Sequence, residues 1–371
     1  MTQPKQRILF FTPYATRTGS EMMLLYIIQN LDRNRFDAGV VSFENGELLK
    51  EFPSDIPTFV APKKYNVFQK IQFHLGVNPT LSFLRKVASE FKADFWYINT
   101  TMLPEVFTVA REFNVKVITH FHELPLTYVY LSRSDMETII TSSDLLIGCS
   151  EVTCKAIQEA GGKKVELLYE FIDSAKIKTD AARTAELRNK LNIPKDDYIW
   201  VLSGITSERK GFDLLPDLAE ELDDPRVHLV WIGDKLSNGL VYYIEQRCLH
   251  SKAKTKVHLV GKQKEQYYNY LNVGNGFLLT SRQDPFPLVM IEAALLEKPI
   301  VAFPSGGVSE FIHDGMGIVT EDISVKQMVG AMRKIMDGTV VTSPVKSRER
   351  ASGFNVENGY RNWIGIIDKI K

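Results

Sequence analysis

Apolar residues in this chain come in two arrangements: short unbroken runs, and segments where they recur every three or four positions. Unbroken runs mark strands covered on both faces, as in a parallel sheet. RILFFTPY (7–14), FDAGVVSF (36–43), ADFWYINT (93–100), VKVITHF (115–121), DLLIGCS (144–150) and VELLY (165–169) are of this kind. SEMMLLYIIQNL (20–31) and LPEVFTVAREF (103–113) carry the helical spacing. The second half repeats the alternation, with strands at 198–204, 227–233, 256–261, 276–281 and 299–303 and helices over 211–222, 240–250 and 264–271. Strand, helix, strand in repetition is the doubly wound α/β signature. Residues 172–197 are polar and helix-forming without strand character, and read as the connection. The pattern predicts two Rossmann-like domains facing each other, with ligands at the carboxyl ends of their strands. The last segment, 355–371, has Val356, Tyr360, Trp363, Ile367 and Ile370 at helical spacing and predicts a terminal helix packed on one of the halves.

Composition narrows the function classes. The 371 residues are 44% hydrophobic and 24% charged, the mix of a globular protein. Lys plus Arg equals Asp plus Glu at 45 each, which argues against nucleic acid as the main partner. Cys149, Cys154 and Cys248 contain no CxxC pair, as expected of a cytoplasmic, reducing compartment. The apolar run near the N-terminus is too short for a signal segment, and no run of 18 or more apolar residues occurs. Surface association is a separate matter. PKKYNVFQKIQFHLG (62–76) mixes Lys with aromatics and suits either peripheral contact with lipid headgroups or, more commonly, a solvated packed helix.

The usual phosphate fingerprints are missing: no G-x-G-x-x-G follows the first strand and no Walker A sequence occurs. That counts against a nicotinamide oxidoreductase. No two aspartates are separated by one residue, so no D-x-D metal site is expected. His120 and His122 share a strand face, but no third ligand is indicated and no metal is expected. What remains are helix starts that follow strands, where orphan amides and the helix dipole favour an anion. Gly19 opens the first helix. Arg209, Lys210 and Gly211 stand at another start, Pro287 at a third, and Gly306 with Gly307 at a fourth. Each alone is commonly a mere cap or turn; three in one half, each after a strand, form a better signal.

Asp284 and Glu292 flank one of these starts, in DPFPLVMIE. An ionised carboxylate accepts two hydroxyl bonds at once and suits a vicinal diol. Glu292, about a turn into the helix, is placed for a ribose; Asp284, in the preceding loop, for a transferred sugar. Pro285 and Pro287 stiffen the loop and leave the amides of Phe286, Leu288 and Val289 as donors. The bland alternative is a turn aspartate and a solvated helix glutamate.

SERKGFDLL, LVWIG, KVHLVG and FLLTSRQDPFPLVMIEAALLEKPIVAFPSGGVSEFIHDGMGIV, in that order over roughly 198–320, resemble the retaining glycosyltransferases of the large family 4. The first half is more loosely similar, through TPYATRTGSE, ITHFHELP and VELLYEFID. The resemblance implies the GT-B fold: an acceptor-binding domain over 1–172, a nucleotide-sugar-binding domain over 173–354, and a helix over 355–371 that crosses back to the first domain. It implies that Lys210 neutralises the leaving diphosphate and that Gly19 donates its amide to it across the cleft. Asp284 would contact the donor sugar near the reacting carbon, and Glu292 would hold the ribose. The segment Phe286, Pro287, Leu288 and Val289 would touch sugar and phosphate, and the loop after Gly261 the base. His122 matches the family's acceptor-side histidine, with His120 the alternative register. The chain departs from the family at two positions. Its first acid is Asp284, one methylene shorter than the usual Glu. Ile205 replaces an Arg that assists Lys210, leaving Arg209 as the nearest substitute.

The expected reaction is transfer of a sugar from a nucleotide diphosphate-sugar to a hydroxyl of a saccharide, lipid-linked or small-molecule acceptor, with retained configuration and no cofactor or metal. Glycan, polysaccharide or glycoconjugate biosynthesis is the expected setting, in the cytoplasm or at the inner face of a membrane. A nucleotide-sugar epimerase or hydrolase, and a non-catalytic sugar-nucleotide-binding subunit, are the alternatives.

Overall fold

The computed structural model describes residues 4–62 and 78–370 and divides into two compact units, one of residues 1–171 with 356–371 and one of 172–355. The segment 62–76, read above for membrane contact, lies outside the described residues but for Pro62.

The first unit is built on a parallel sheet of seven strands: β1 (Gln6–Thr12), β2 (Phe36–Ser42), β3 (Thr58–Val60), β4 (Phe95–Ile98), β5 (Lys116–Phe121), β6 (Leu145–Gly148) and β7 (Val165–Leu167). Their order is β3-β2-β1-β4-β5-β6-β7. The unbroken apolar runs are explained by two covered faces. Ile8 and Phe10 of β1 enter a core with Leu25, Ile28 and Trp363, while Leu9 and Phe11 enter another with Trp96, Val106 and Phe107. The helices end where the sequence supplies caps: Asn78 accepts from the amides of Thr80 and Leu81, Ser132 and Asp135 form a capping box, and Asn114 takes a left-handed φ of 51°.

The terminal helix, Val356–Ile367, belongs to this unit. Trp363 is fully buried among Phe10, Phe36 and Tyr97. Gly359 lets the helix approach Phe171: a Cβ there would lie 2.0 Å from the ring.

The second unit carries six parallel strands: β8 (Tyr198–Ser203), β9 (Val227–Ile232), β10 (Lys256–Gly261), β11 (Gly276–Leu279), β12 (Ile300–Ala302) and β13 (Gly317–Val319), in the order β10-β9-β8-β11-β12-β13. Its core gathers Trp200, Leu202, Phe212, Leu215, Trp231 and Met328. The stretch read as a connection contains the helix Ala181–Lys190, capped by Asp180 and packed on the helix Tyr267–Val273 of the same unit. Strands β3 and β13, of three residues each, are not among the strands read from the sequence.

In each sheet the chain moves outward in one direction and then returns to the other side of its first strand. The reversal falls between β1 and β4 in the first unit and between β8 and β11 in the second. At such a switch point the loops leaving the two strands diverge and open a crevice at their carboxyl ends. Asn99 follows β4, and Thr280 to Asp284 follow β11. Among the described residues, no helix is long and apolar enough to cross a membrane.

Candidate functional site

In the second unit the loop after β8 and the loop after β11 are tied together at two points. Arg282 N donates to the Arg209 carbonyl at 2.8 Å, and Thr280 Oγ1 to the Lys210 carbonyl at 2.8 Å. Arg282 also grips Asp213 through two bonds of 2.7 Å. Gly211 makes this approach feasible: its φ is 75°, and a Cβ there would lie 2.2 Å from the Thr280 carbonyl oxygen. Asp284 is fixed in turn by its own N–H, which donates to Ser305 O at 2.6 Å.

These ties bring three sequence-predicted residues together. Lys210 Nζ pairs directly with Asp284 Oδ2. Arg209 Nη1 lies 3.7 Å from Oδ1 of the same carboxylate and donates to Gln283 O at 3.0 Å. Neighbours in sequence thus converge on one acid. Ser281 Oγ donates to Asp284 Oδ2 at 3.1 Å, a contact the sequence reading missed. Burial alone would raise the Asp284 carboxyl, but Lys210 and Arg209 outweigh it and hold it below its usual range. Burial lowers the Lys210 ammonium, and Asp284 offsets this only in part. Ile205 is 40% exposed and adds no charge.

Pro287 is the N-cap of the helix Leu288–Leu295, so Leu288 and Val289 sit in its first turn, where a helix offers no internal acceptor for the amides. The ring of Phe286 has a packing role, stacked on Phe354 with centroids 5.5 Å apart. Glu292 lies on this helix. Tyr267 and Tyr268 each donate a hydroxyl to it, to Oε2 and Oε1 respectively, both at 3.1 Å. Burial pushes the Glu292 carboxyl up to about 7, and the two tyrosine bonds restrain the rise. Gly261, at the end of β10, has a φ of 78° and accepts from Gly233 N at 3.1 Å.

The first unit assembles a second polar cluster. Gly19 is the exposed first residue of the helix Gly19–Gln29. Asn99 Nδ2 donates to the Ser20 carbonyl at 3.0 Å, which turns Asn99 Oδ1 toward His122 Nε2, 3.0 Å away. His122 Nδ1 lies 2.6 Å from Glu170 Oε1. Both ring nitrogens therefore face acceptors, the arrangement of an imidazolium. Burial opposes that charge, but Glu170, with Glu123 and Glu21 behind it, prevails and raises His122 above its usual range. His120 points elsewhere: its Nδ1 is 2.8 Å from the Tyr97 hydroxyl, its Nε2 has no partner among the described residues, and burial holds it well below its usual range.

The sequence indicated no third metal ligand beside the two histidines. The fold instead sets Cys149 and Glu170 around His122, with potential ligand atoms within 4.8 Å of one another. The His122–Glu170 ion pair already balances the charges of this group. Glu170 lies within VELLYEFID but receives no role from the sequence, and Tyr267 carries no signal; each meets its partner far along the chain, His122 across 48 positions and Glu292 across 25.

Comparison with known proteins bears on the fold and the family likeness. Residues 183–353 match the family model described as glycosyl transferases group 1. The lipopolysaccharide 1,2-N-acetylglucosaminetransferase of Salmonella typhimurium is 27% identical over 138 residues, 35% of this chain and 36% of that protein. The alpha-galactosylglucosyldiacylglycerol synthase of Streptococcus pneumoniae is 25% identical over 177 residues, 47% of this chain and 46% of that one. The chain thus spans less than half the length of these two curated relatives. Among solved structures, Anabaena Alr3699/HepE in complex with UDP and glucose is similar over 98% of this chain and 100% of its own, with a TM-score of 0.83 at 21% identity. Residues 183–353, the bulk of the second unit, are thus similar to the glycosyl transferases group 1 family, in a chain whose two parallel-sheet units have the GT-B fold.

Proposed function

We propose that the protein transfers a sugar from a nucleoside-diphosphate sugar to an acceptor hydroxyl, with retention of configuration at the anomeric carbon. The observation that carries this reading is the convergence of Lys210, Arg209 and Asp284 beside a helix start at the carboxyl ends of β8 and β11. A diphosphate fits such a place: the first-turn amides of Leu288 and Val289 supply fixed dipoles, and Lys210 and Arg209 supply charge. Binding of the diphosphate would draw the Lys210 ammonium away from Asp284, freeing that carboxylate for hydroxyls of the sugar. Preorganised donors aimed at the leaving group are typically worth about 2.7–4 kcal/mol of barrier each. Glu292 takes the ribose diol, and the turn at Gly261 lies toward the base.

The UDP and glucose bound by the similar Anabaena protein support a nucleotide-sugar donor. The names of the relatives support glycoconjugate biosynthesis. The amide of Gly19 as a diphosphate contact, and the role of His122 on the acceptor side, rest on family resemblance. So does a reaction that proceeds without metal, with the departing phosphate taking the acceptor proton. A saccharide, lipid-linked or small-molecule acceptor suits the reading, with the reaction in the cytoplasm or at the inner face of a membrane; all three cysteines are free, as a reducing compartment requires.

Thermal-shift titration with UDP-, GDP-, ADP- and TDP-sugars identifies the donor, since stabilisation grows with ligand over its dissociation constant. Proton NMR of the product then reports the anomeric configuration. Inversion would refute the retaining mechanism. Wild-type-like turnover of Lys210→Ala at saturating donor would refute the phosphate role of Lys210. Free sugar released without acceptor would favour hydrolysis, and tight donor binding without turnover would favour a non-catalytic subunit.

A further inference from the structure

Glu292 is not an isolated acid. Three elements of the second unit converge on it: its own helix, the helix Tyr267–Val273, and the end of β8, where Ser203 stands. Tyr267 O–H donates to Oε2 and Tyr268 O–H to Oε1, at 3.1 Å each. Ser203 Oγ is 2.9 Å from the Tyr267 hydroxyl. Tyr267 has one hydroxyl proton, committed to the carboxylate, so Ser203 donates to Tyr267 and the chain of donors runs Ser203, Tyr267, Glu292.

The acceptor count gives this arrangement a use. A carboxylate offers about four acceptor sites, two per oxygen. The tyrosines take one on each oxygen and fix the carboxylate plane, leaving one site on each oxygen. The two remaining sites, one on each oxygen of a carboxylate held by two bonds, match the paired hydroxyls of a ribose. We infer that Tyr267 and Tyr268 are positioning residues that hold Glu292 as an ionised, correctly turned acceptor for a ribonucleoside diphosphate, and so set its preference for ribose over 2′-deoxyribose. This rests on the reading of Glu292 as the ribose contact.

The tyrosines also link binding to pH. Burial raises Glu292 and the tyrosine hydroxyls oppose it; Tyr267 and Tyr268, from the neighbouring helix, are the titratable groups set against it among the described residues. When Glu292 takes up a proton, one oxygen becomes a donor and the paired acceptors for the diol are lost. Affinity for a ribonucleotide should therefore fall as pH drops through about 7. Removing a tyrosine hydroxyl removes a bond that favours the ionised form, so the fall should begin at higher pH.

The test is calorimetric titration of the full chain with UDP, GDP and ADP, each beside its 2′-deoxy form, between pH 5.5 and 8.5. The nucleotide that binds wild type is used for Tyr267→Phe, Tyr268→Phe, Ser203→Ala and Glu292→Gln. The expected result is that each tyrosine variant weakens ribonucleotide binding about three- to tenfold, narrows the ribose-to-deoxyribose ratio and moves the pH midpoint up by about half a unit to one unit. Ser203→Ala, which leaves both tyrosines in place, should give a smaller shift in the same direction. A purely structural role would lower the melting temperature without moving the pH midpoint. If Glu292→Gln weakens binding and erases the ribose preference while both tyrosine variants leave affinity, preference and midpoint as in wild type, the positioning role is overturned. If wild type shows no ribose preference and Glu292→Gln binds as well as wild type, the ribose reading beneath it fails as well.

Discussion

The Lys210–Asp284 pair should behave as a unit in folding, and a double-mutant cycle measures this. Lys210→Met removes the ammonium and keeps most of the side-chain volume; Asp284→Asn removes the carboxylate charge with little change of shape. Breaking a fully buried ion pair by removing one partner costs about 3–5 kcal/mol, because the other charge is stranded. Two features moderate that figure. The Lys210 side chain keeps 16% exposure, and Asp284 retains Arg209 at 3.7 Å and Ser281 at 3.1 Å. Each single change should therefore destabilise the second unit by roughly 2–3 kcal/mol. The melting transition should fall by roughly 5–10 °C. Removing both charges leaves neither stranded, so the double variant should lose no more than either single one, with a coupling of about 2 kcal/mol or more. Urea unfolding, read together with amide exchange in β8 and β11, assigns the loss to this unit. Additive losses, with the double variant as unstable as the sum of the singles, would refute the claim that the two charges answer each other in the folded state. The cycle has a functional use as well. A double variant that is stable yet fails to bind nucleoside diphosphate would separate the proposed phosphate role of Lys210 from its part in folding.

Two further predictions concern the first unit. Burial raises Glu21 from 4.5 to about 7, so the native state holds a proton that the unfolded chain releases. This contribution is fully present below about pH 4.5 and is lost as pH rises through about 7. Glu21→Gln should flatten stability between pH 5 and 8 and gain up to roughly 3 kcal/mol at pH 8, measured by urea unfolding across that range; an unchanged slope would contradict it. In the terminal helix, Gly359→Ala places a Cβ 2.0 Å from the Phe171 ring and should destabilise by roughly 1–3 kcal/mol. Gly365→Ala, in open space on the same helix, should instead stabilise by about 0.5–1 kcal/mol; equal effects of the two in thermal melts would show that helix propensity, not packing, governs the site.

Several features of this protein are written in consecutive residues. The run ILFF in β1 predicts a strand with two covered faces, and Ile8 with Phe10, then Leu9 with Phe11, divide between two cores accordingly. The helical spacing of Val356, Tyr360 and Trp363 predicts the terminal helix, and DPFPLVMIE predicts a stiff loop leading into a helix with an acid on either side of its start. Periodicity and turn chemistry act over a few residues, so a linear reading captures them. Partnership is a different matter. Lys210 meets Asp284 across 74 positions because β8 and β11 are neighbours in the sheet, and the sequence does not announce that adjacency. His122 meets Glu170 across 48 positions, and Glu292 meets Tyr267 across 25. From sequence, Asp284 read as a sugar contact and Glu292 as a ribose contact, neither with a partner of its own. Tertiary structure gave Asp284 a lysine to neutralise and Glu292 two tyrosines to orient it. Local sequence determined which residues stand at the ends of strands; strand order and register, which depend on burial summed over a whole sheet, decided which of those ends meet.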